Sequence, residues 1–222
     1  MVLALSIDAS LEGRVLLGVL VLEGLTVREA DNALQTEVEE LCTQMLREFG
    51  GGLSSEVPGA ADARQLYKAV GLDPTKTRPS NEALLRRALK GEPLYRINTL
   101  VDSVNLCSLR YQLPYGLYDR ARMRPPVVLR RGREGESYEG IRKGTVGVAS
   151  RPVLVDMEGP FGNPTSDSLR TSITLEARDA LVVVYAPVGY NRTRFERVLE
   201  GTTEAVTRHC GGALLERFVL PG

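Results

Sequence analysis

With 222 residues, 28 basic and 28 acidic side chains and no net formal charge, the chain is long enough to bury a core without metal or disulfide staples. It carries no overall electrostatic bias toward nucleic acid or an anionic membrane, so any RNA contact must come from a local patch. Three widely spaced cysteines, Cys42, Cys107 and Cys210, suit a reducing, cytoplasmic compartment better than a secreted disulfide scaffold.

The opening run MVLALSIDASLEG has no basic leader and meets an acid early, so it reads as neither a secretion signal nor a membrane span. Arg14 to Leu22, RVLLGVLVL, is a continuous apolar run between Gly13 and Gly24 and reads as a buried strand. Thr26 then offers an N-cap for a long amphipathic helix with Val27, Ala30, Leu34, Val38, Leu41 and Met45 on one face, ended by Gly50, Gly51 and Gly52. A short helix is expected from about Ala60 to Val70, burying Leu66, Tyr67 and Val70 and stopping at Gly71. Pro74 and Pro79 make Leu72 to Pro79 an extended connection. Ser80 is the expected cap of a third helix, with Glu82 in its first turn, Leu84, Leu85, Ala88 and Leu89 inward and Gly91 at its end.

After Pro93 a further helix carries Asn98, Asp102 and Asn105 at i, i+4 and i+7, beside Ile97, Val101, Val104 and Ser108. Buried amides and carboxylates need partners, which are either backbone at a junction, the commoner case, or a ligand. PYGLYD, Pro114 to Asp119, reads as a Pro-Gly turn.

The second half reads as sheet. Pro126 to Leu129 is a short strand, Arg130 to Glu136 a charged turn and Ser137 to Ile141 its returning partner. Pro152 to Asp156 is a strand feeding the loop Glu158 to Ser168, EGPFGNPTSDS, whose polar groups suit either a ligand site on a rigid support or a plain Asx-type turn. Leu181 to Tyr185 is the strongest β run and the expected central strand. Asn191 or Thr193 starts a last helix with Phe195, Val198, Leu199 and Val206 inside, and Ala213 to Leu220 is a final strand. No linker is long enough to divide the chain, so one α/β domain over residues 1–222, a mixed sheet flanked by helices, is expected.

GxxxxGK[ST], GxGxxG, CxxC and HExxH are all absent. His209 is the sole histidine and sits beside Cys210 near a helix end, where it reads as a capping or surface residue. A His-dependent triad and a Cys/His zinc site are therefore disfavoured, and no metal or cofactor is expected. A hydrolase built from this chain would need Asp102, Asp156 or Asp167 as base, or a water oriented by hydroxyls and backbone; each aspartate taken alone is more often structural. Arg120, Arg122, Arg124, Arg130, Arg131 and Arg133, followed by Arg142 and Lys143, form either a solvated loop or a phosphate-facing patch, with Arg130, Arg131 and Arg133 the candidate RNA contacts.

Asp102-Ser-Val-Asn105, Pro114-Tyr-Gly-Leu-Tyr-Asp119, Gly135-Glu136, Gly140, the strand to Asp156 and the glycine loop together resemble the B3/B4 domain. That domain is the editing module of the β subunit of bacterial phenylalanyl-tRNA synthetase, and it also occurs as free-standing proteins. The similarity covers about Tyr67 to Pro187, and the ordered set is more specific than any single motif. It implies an α/β fold and, in the synthetase version, metal-free hydrolysis of tyrosine mischarged onto the phenylalanine tRNA. By this resemblance Asn105, Tyr115, Gly116, Gly159, Gly162, Thr165, Ser166 and Asp167 meet the substrate, while the catalytic residue stays unassigned. The implied partner is tRNA or aminoacyl-tRNA, or an amino-acid-like small molecule.

The match has departures. The synthetase turn reads Pro-Met-His-Ala-Phe-Asp; its histidine falls on Gly116 and its methionine on Tyr115. The family's glutamate, which helps recognise the tyrosine hydroxyl, falls near Val183, or on Glu176 if the alignment slides back. A pocket without that glutamate loses a hydrogen bond on which strong discrimination rests, so tyrosine selection in the synthetase's way is not expected. Two functions follow: a hydrolase acting in trans on a mischarged aminoacyl-tRNA, with water as nucleophile, or a module that binds RNA or an amino-acid-like ligand and has lost the chemistry.

Overall fold

A computed structural model describes residues 3–142 and 144–221. In chain order the elements are β1 (Leu5–Ile7), β2 (Val15–Glu23), α1 (Asn32–Phe49), α2 (Ala60–Ala69), α3 (Ser80–Leu89), α4 (Thr99–Tyr111), β3 (Tyr115–Asp119), β4 (Val127–Arg131), β5 (Ser137–Gly140), β6 (Gly144–Gly147), β7 (Pro152–Asp156), β8 (Gly159–Asn163), β9 (Ser166–Asp167), β10 (Ala180–Pro187), α5 (Arg192–Cys210) and β11 (Ala213–Pro221). One sheet is antiparallel throughout, in the order β11-β2-β10-β3. A second runs β1-β4-β7-β8-β9 and is mixed, because β1 joins β4 in parallel, and β5 and β6 form a separate two-stranded sheet.

Strands β2, β10 and β3 of the antiparallel sheet are buried on both faces, and β11 forms its half-exposed edge. Leu20, Leu22, Val182 and Val184 pack toward Val104, Phe195 and Leu199 of α4 and α5, whereas Leu17, Val19, Leu181 and Val183 pack toward Leu129, Leu154 and Phe161 of the mixed sheet. A strand covered on both sides needs no polar alternation, which is why β2 and β10 appear in the sequence as unbroken apolar runs. Helices α1, α3 and α4 close a third cluster through Leu34, Val38, Leu85, Ala88, Leu106 and Leu109.

Several local expectations change. Helix α1 begins at Asn32, because the Asp31 carboxylate accepts the Leu34 N–H at 2.9 Å. The stretch after Thr26 instead crosses the ends of two other helices, with Thr26 N bonded to Cys210 O at 2.7 Å and Arg28 N to Thr99 Oγ1 at 3.0 Å. Asp31→Ala is therefore expected to cost about 1 kcal/mol in urea unfolding, and Thr26→Ala less than about 0.5 kcal/mol; equal effects would contradict this capping assignment.

Ser80 is the first residue of α3 rather than its cap, and Pro79 takes that place. Pro114–Asp119 is not a turn: the reversal is made by Gln112 at φ 56°, and Tyr115–Asp119 forms strand β3, paired with β10. Strand β5 pairs with β6 and not with β4, whose two sides are already taken by β1 and β7. Residues 158–168 fold mainly as the hairpin β8–β9 rather than as an open loop. His209 is buried, 3% exposed, with its ring between Glu37 Oε2 at 3.1 Å and Asp31 Oδ1 at 3.6 Å, so it ties α5 to α1 and is no surface residue. Among the described residues no helix is long and apolar enough to cross a membrane.

Candidate functional site

A cavity of about 460 Å³ opens between α3, α4, β3 and the β8–β9 turn, a volume in the range of small-molecule sites. Val101, Val104, Asn105 and Ser108 reach it from successive turns of α4, which is the helical spacing of one face. Strand β3 supplies Tyr115 and Leu117 by alternation, and the turn supplies Thr165, Ser166 and Asp167. Ser80, Leu84, Tyr95, Ile97 and Ile173 complete the greater part of the wall.

Five of the eight substrate-contact residues expected from sequence thus meet in one cavity: Asn105, Tyr115, Thr165, Ser166 and Asp167. Gly116, Gly159 and Gly162 are not in its wall. Gly116 alternates to the opposite face of β3, where an added Cβ would lie 2.8 Å from Tyr118 Cζ; one on Gly162 would lie 2.6 Å from the same atom. These two glycines make room for the fully buried Tyr118 ring, which packs edge-on against Phe161 at 4.9 Å. Val183 pairs with Gly116 in the core between the sheets, and Glu176 is exposed, so neither position of the expected glutamate reaches the cavity.

The polar turn is held from below. Asn163 Oδ1 accepts Thr165 N at 2.8 Å and Ser166 N at 2.9 Å, while its Nδ2 donates to Tyr138 Oη at 2.9 Å. Tyr138 Oη donates to Ser166 O, and Tyr67 Oη donates to Pro164 O at 2.9 Å and lies 3.0 Å from Thr165 Oγ1. Burial pushes the Tyr67 and Tyr138 phenols well above their usual range, so both act as neutral donors. The Asn-Pro-Thr-Ser run marks an Asx turn in sequence; Tyr67 and Tyr138 lie 97 and 28 residues from their partners and carry no local signal.

The wall groups differ in what they can offer a ligand. Thr202 Oγ1 donates to Val198 O at 2.7 Å, so Tyr115 Oη, 2.9 Å away, donates to Thr202 and leaves only its ring to the cavity. Ser108 Oγ is committed to Leu113 O at 2.8 Å. Asn105 is half-buried and makes no side-chain hydrogen bond among the described residues, and Ser80 Oγ is buried without a protein partner. Asp167 Oδ2 accepts Leu117 N at 3.4 Å, and its charge adds to burial in raising the Tyr118 and Tyr185 phenols. Asp167 is the carboxylate among the described lining residues.

The other candidate aspartates have structural posts. Asn98 caps α4 by accepting Val101 N at 3.0 Å, and Asp102 accepts Ile97 N at 3.1 Å and Gln35 Nε2 at 3.3 Å. Asp156 holds Arg124 N at 2.8 Å and the Arg170 guanidinium at 2.8 and 3.0 Å. The three cysteines are free, and burial pushes Cys107 up to about 12 and raises Cys42 and Cys210, so all are neutral thiols. Among the described residues no three His, Cys, Asp or Glu side chains are grouped to hold a metal ion.

Arg130 and Arg131 are largely occupied by protein. Arg130 makes a two-pronged pair with Glu136 at 2.8 and 2.7 Å, and Arg131 donates to Val70 O and Ser150 O at 3.0 Å each. Arg133 is exposed, none of the three lines the cavity, and Lys143 lies outside the described residues. The hydrogen bonds from Arg130 lower the Glu136 carboxyl from 4.5 to about 2. A depressed carboxylate stabilises the fold above its unfolded value and loses that contribution as pH falls toward the folded one. The stability of the protein should therefore decline between pH 4.5 and 2, and Glu136→Gln should flatten that part of a thermal-melt series; an unchanged profile would rule the pair out as its source.

Comparisons with known proteins bear on the family and the fold. A sequence model of the B3/4 domain matches residues 62–212. Among solved structures, an N-terminal fragment of the phenylalanyl-tRNA synthetase β subunit from Pyrococcus horikoshii aligns with 100% of this chain and 55% of its own length, at a TM-score of 0.50 and 13% identity. The chain thus spans about half of that fragment, and the likeness is one of fold. No curated protein matches. Strand β2 precedes the matched segment yet sits between β10 and β11, so the residues before it complete the same sheet.

Proposed function

Because the chain belongs to the B3/4 domain family, we propose that it is an aminoacyl-tRNA editing-type domain acting in trans, hydrolysing the ester of a mischarged aminoacyl-tRNA. Residues 1–222 are read as one such unit, working in the cytoplasm where charged tRNA is found. The observation that carries this reading is the meeting of Asn105 and the Thr165–Asp167 turn on one cavity whose remaining wall is largely apolar.

In this reading Val101, Val104, Leu117 and Ile173 take the amino-acid side chain, and Asn105 with the turn takes the ester. Water attacks the acyl carbon, the acyl–oxygen bond breaks and the ribose hydroxyl leaves. Asp167 takes the proton from water and returns it to that leaving oxygen, the role a carboxylate fills where no imidazole is present. A panel of mischarged tRNAs tests it: the protein should accelerate deacylation of at least one bearing an apolar side chain, and no acceleration across the panel would exclude hydrolysis.

The absence of histidine from the wall favours a second reading, a module that binds RNA or an amino-acid-like ligand without cleaving it. Thermal shifts with amino acids and aminoacyl-adenylate analogues separate the two. Binding without turnover would select the second, and no shift with any of them would remove it.

A further inference from the structure

From the geometry we infer a second, basic subsite that continues from the cavity mouth and binds the phosphates of a single-stranded RNA end. A groove of about 320 Å³ runs along α3 and adjoins the cavity, with Ala83, Leu84 and Tyr95 lining both. Its cations are Arg78, Arg86, Arg87 and Lys90, against the single acid Glu92. In a chain of zero net charge this is a local excess of the sign that phosphates require.

The cations are not equivalent. Arg87 is a strut: it donates to Pro93 O at 2.9 and 2.8 Å and to Tyr95 Oη at 3.3 Å, pairs with Glu92 at 3.2 Å, and lies 4.4 Å from the centroid of the Tyr95 ring. It thereby fixes an aromatic side chain that is 57% exposed on the shared lip. Arg86 lies on α3 one helical turn before its C-cap Lys90, which pairs with Glu92 at 3.8 Å, and Arg78 precedes the helix. Arg78 and Arg86 are exposed and have no hydrogen bond or ion pair among the described residues. A positive track leading from an exposed ring is the arrangement that binds single strands, with the base stacked and the backbone on the cations. The subsite rests on the reading of the cavity as an aminoacyl site, since it gives the attached RNA a path outward.

The test is fluorescence anisotropy with a short single-stranded RNA ending in a 3′ adenosine, titrated across a salt series. The wild-type protein should bind, and Arg78→Gln/Arg86→Gln should weaken binding about tenfold and reduce the slope of log K against log salt by about 1.4, two phosphate contacts' worth. Tyr95→Ala should weaken binding about tenfold with the slope unchanged, the signature of a lost stack. The idea is overturned if wild-type protein binds no RNA, or if the double variant keeps the wild-type slope. It is equally overturned if neutralising Arg130, Arg131 and Arg133 removes binding while the α3 variants bind normally, or if phosphatidylserine vesicles and not RNA show the α3 dependence. Failure of the deacylation assay with these slopes intact would remove the hydrolase reading and leave the groove; the converse would remove only the groove.

Discussion

Gly116→Ala is expected to destabilise the protein by about 3 kcal/mol, the upper part of the overpacking range, and to lower the melting temperature by roughly 6–12 °C for a domain of this size. An added methyl group would meet the Tyr118 hydroxyl and lie 2.8 and 2.9 Å from Cζ and Cε2 of its ring. That ring has no exposed surface, stands edge-on to Phe161 and is closed in on its other side by Gly162, so it has nowhere to turn. Tyr118→Phe in the Gly116→Ala background should recover part of the loss, since it removes one of the clashing atoms. Gly116→His should unfold the protein instead of supplying an imidazole, because position 116 faces the core between the sheets. Calorimetry on these variants decides the matter; a stable Gly116→Ala protein would mean that β3 has a different register.

In the proposed hydrolase reading, Asn105→Ala should reduce kcat/KM for deacylation by about a hundredfold, the scale of losing one hydrogen-bond donor at a developing charge. It should leave the unfolding free energy within about 0.5 kcal/mol, because the amide has no protein partner among the described residues to lose. Asp102→Ala should show the reverse pattern. Its carboxylate accepts the Ile97 N–H and a Gln35 donor at the start of α4, so the cost falls on stability. Matching losses of activity and stability in both variants would show that the two side chains share one structural role.

The contrast between these residues explains how far the sequence could be read. Strands β2 and β10 were legible because burial on both faces leaves an unbroken apolar run, and helix α5 because Asn191 caps it and Phe195, Val198, Leu199 and Val206 keep helical spacing. The start of α1 is not legible in the sequence because Thr26 and Asp31 are both good caps by residue type, and only the tertiary bonds of residues 26 and 28 decide between them. β3 was hidden by Pro114 and Gly116, which resemble a turn until β10 is alongside.

At the site, side chains with chemistry of their own are easier to place than glycines. Asn105, Thr165, Ser166 and Asp167 face the cavity; Gly116 and Gly162 mark the volume of a buried tyrosine that does not line it. A glycine inside a motif records that something approaches closely, without saying whether the neighbour is a ligand or the core. The cations of α3 carry no signal of their own in the sequence, because their meaning depends on the residues they share with the cavity wall.

The most direct test of the central claim, that this cavity is the aminoacyl end's binding site, is a calorimetric titration with non-hydrolysable 3′-amide analogues of aminoacyl-adenosine bearing apolar side chains. Saturable binding with one site per chain, lost in Asn105→Leu at unchanged melting temperature, is the predicted result. No binding by the folded wild-type protein, or equal binding by Asn105→Leu, would contradict it.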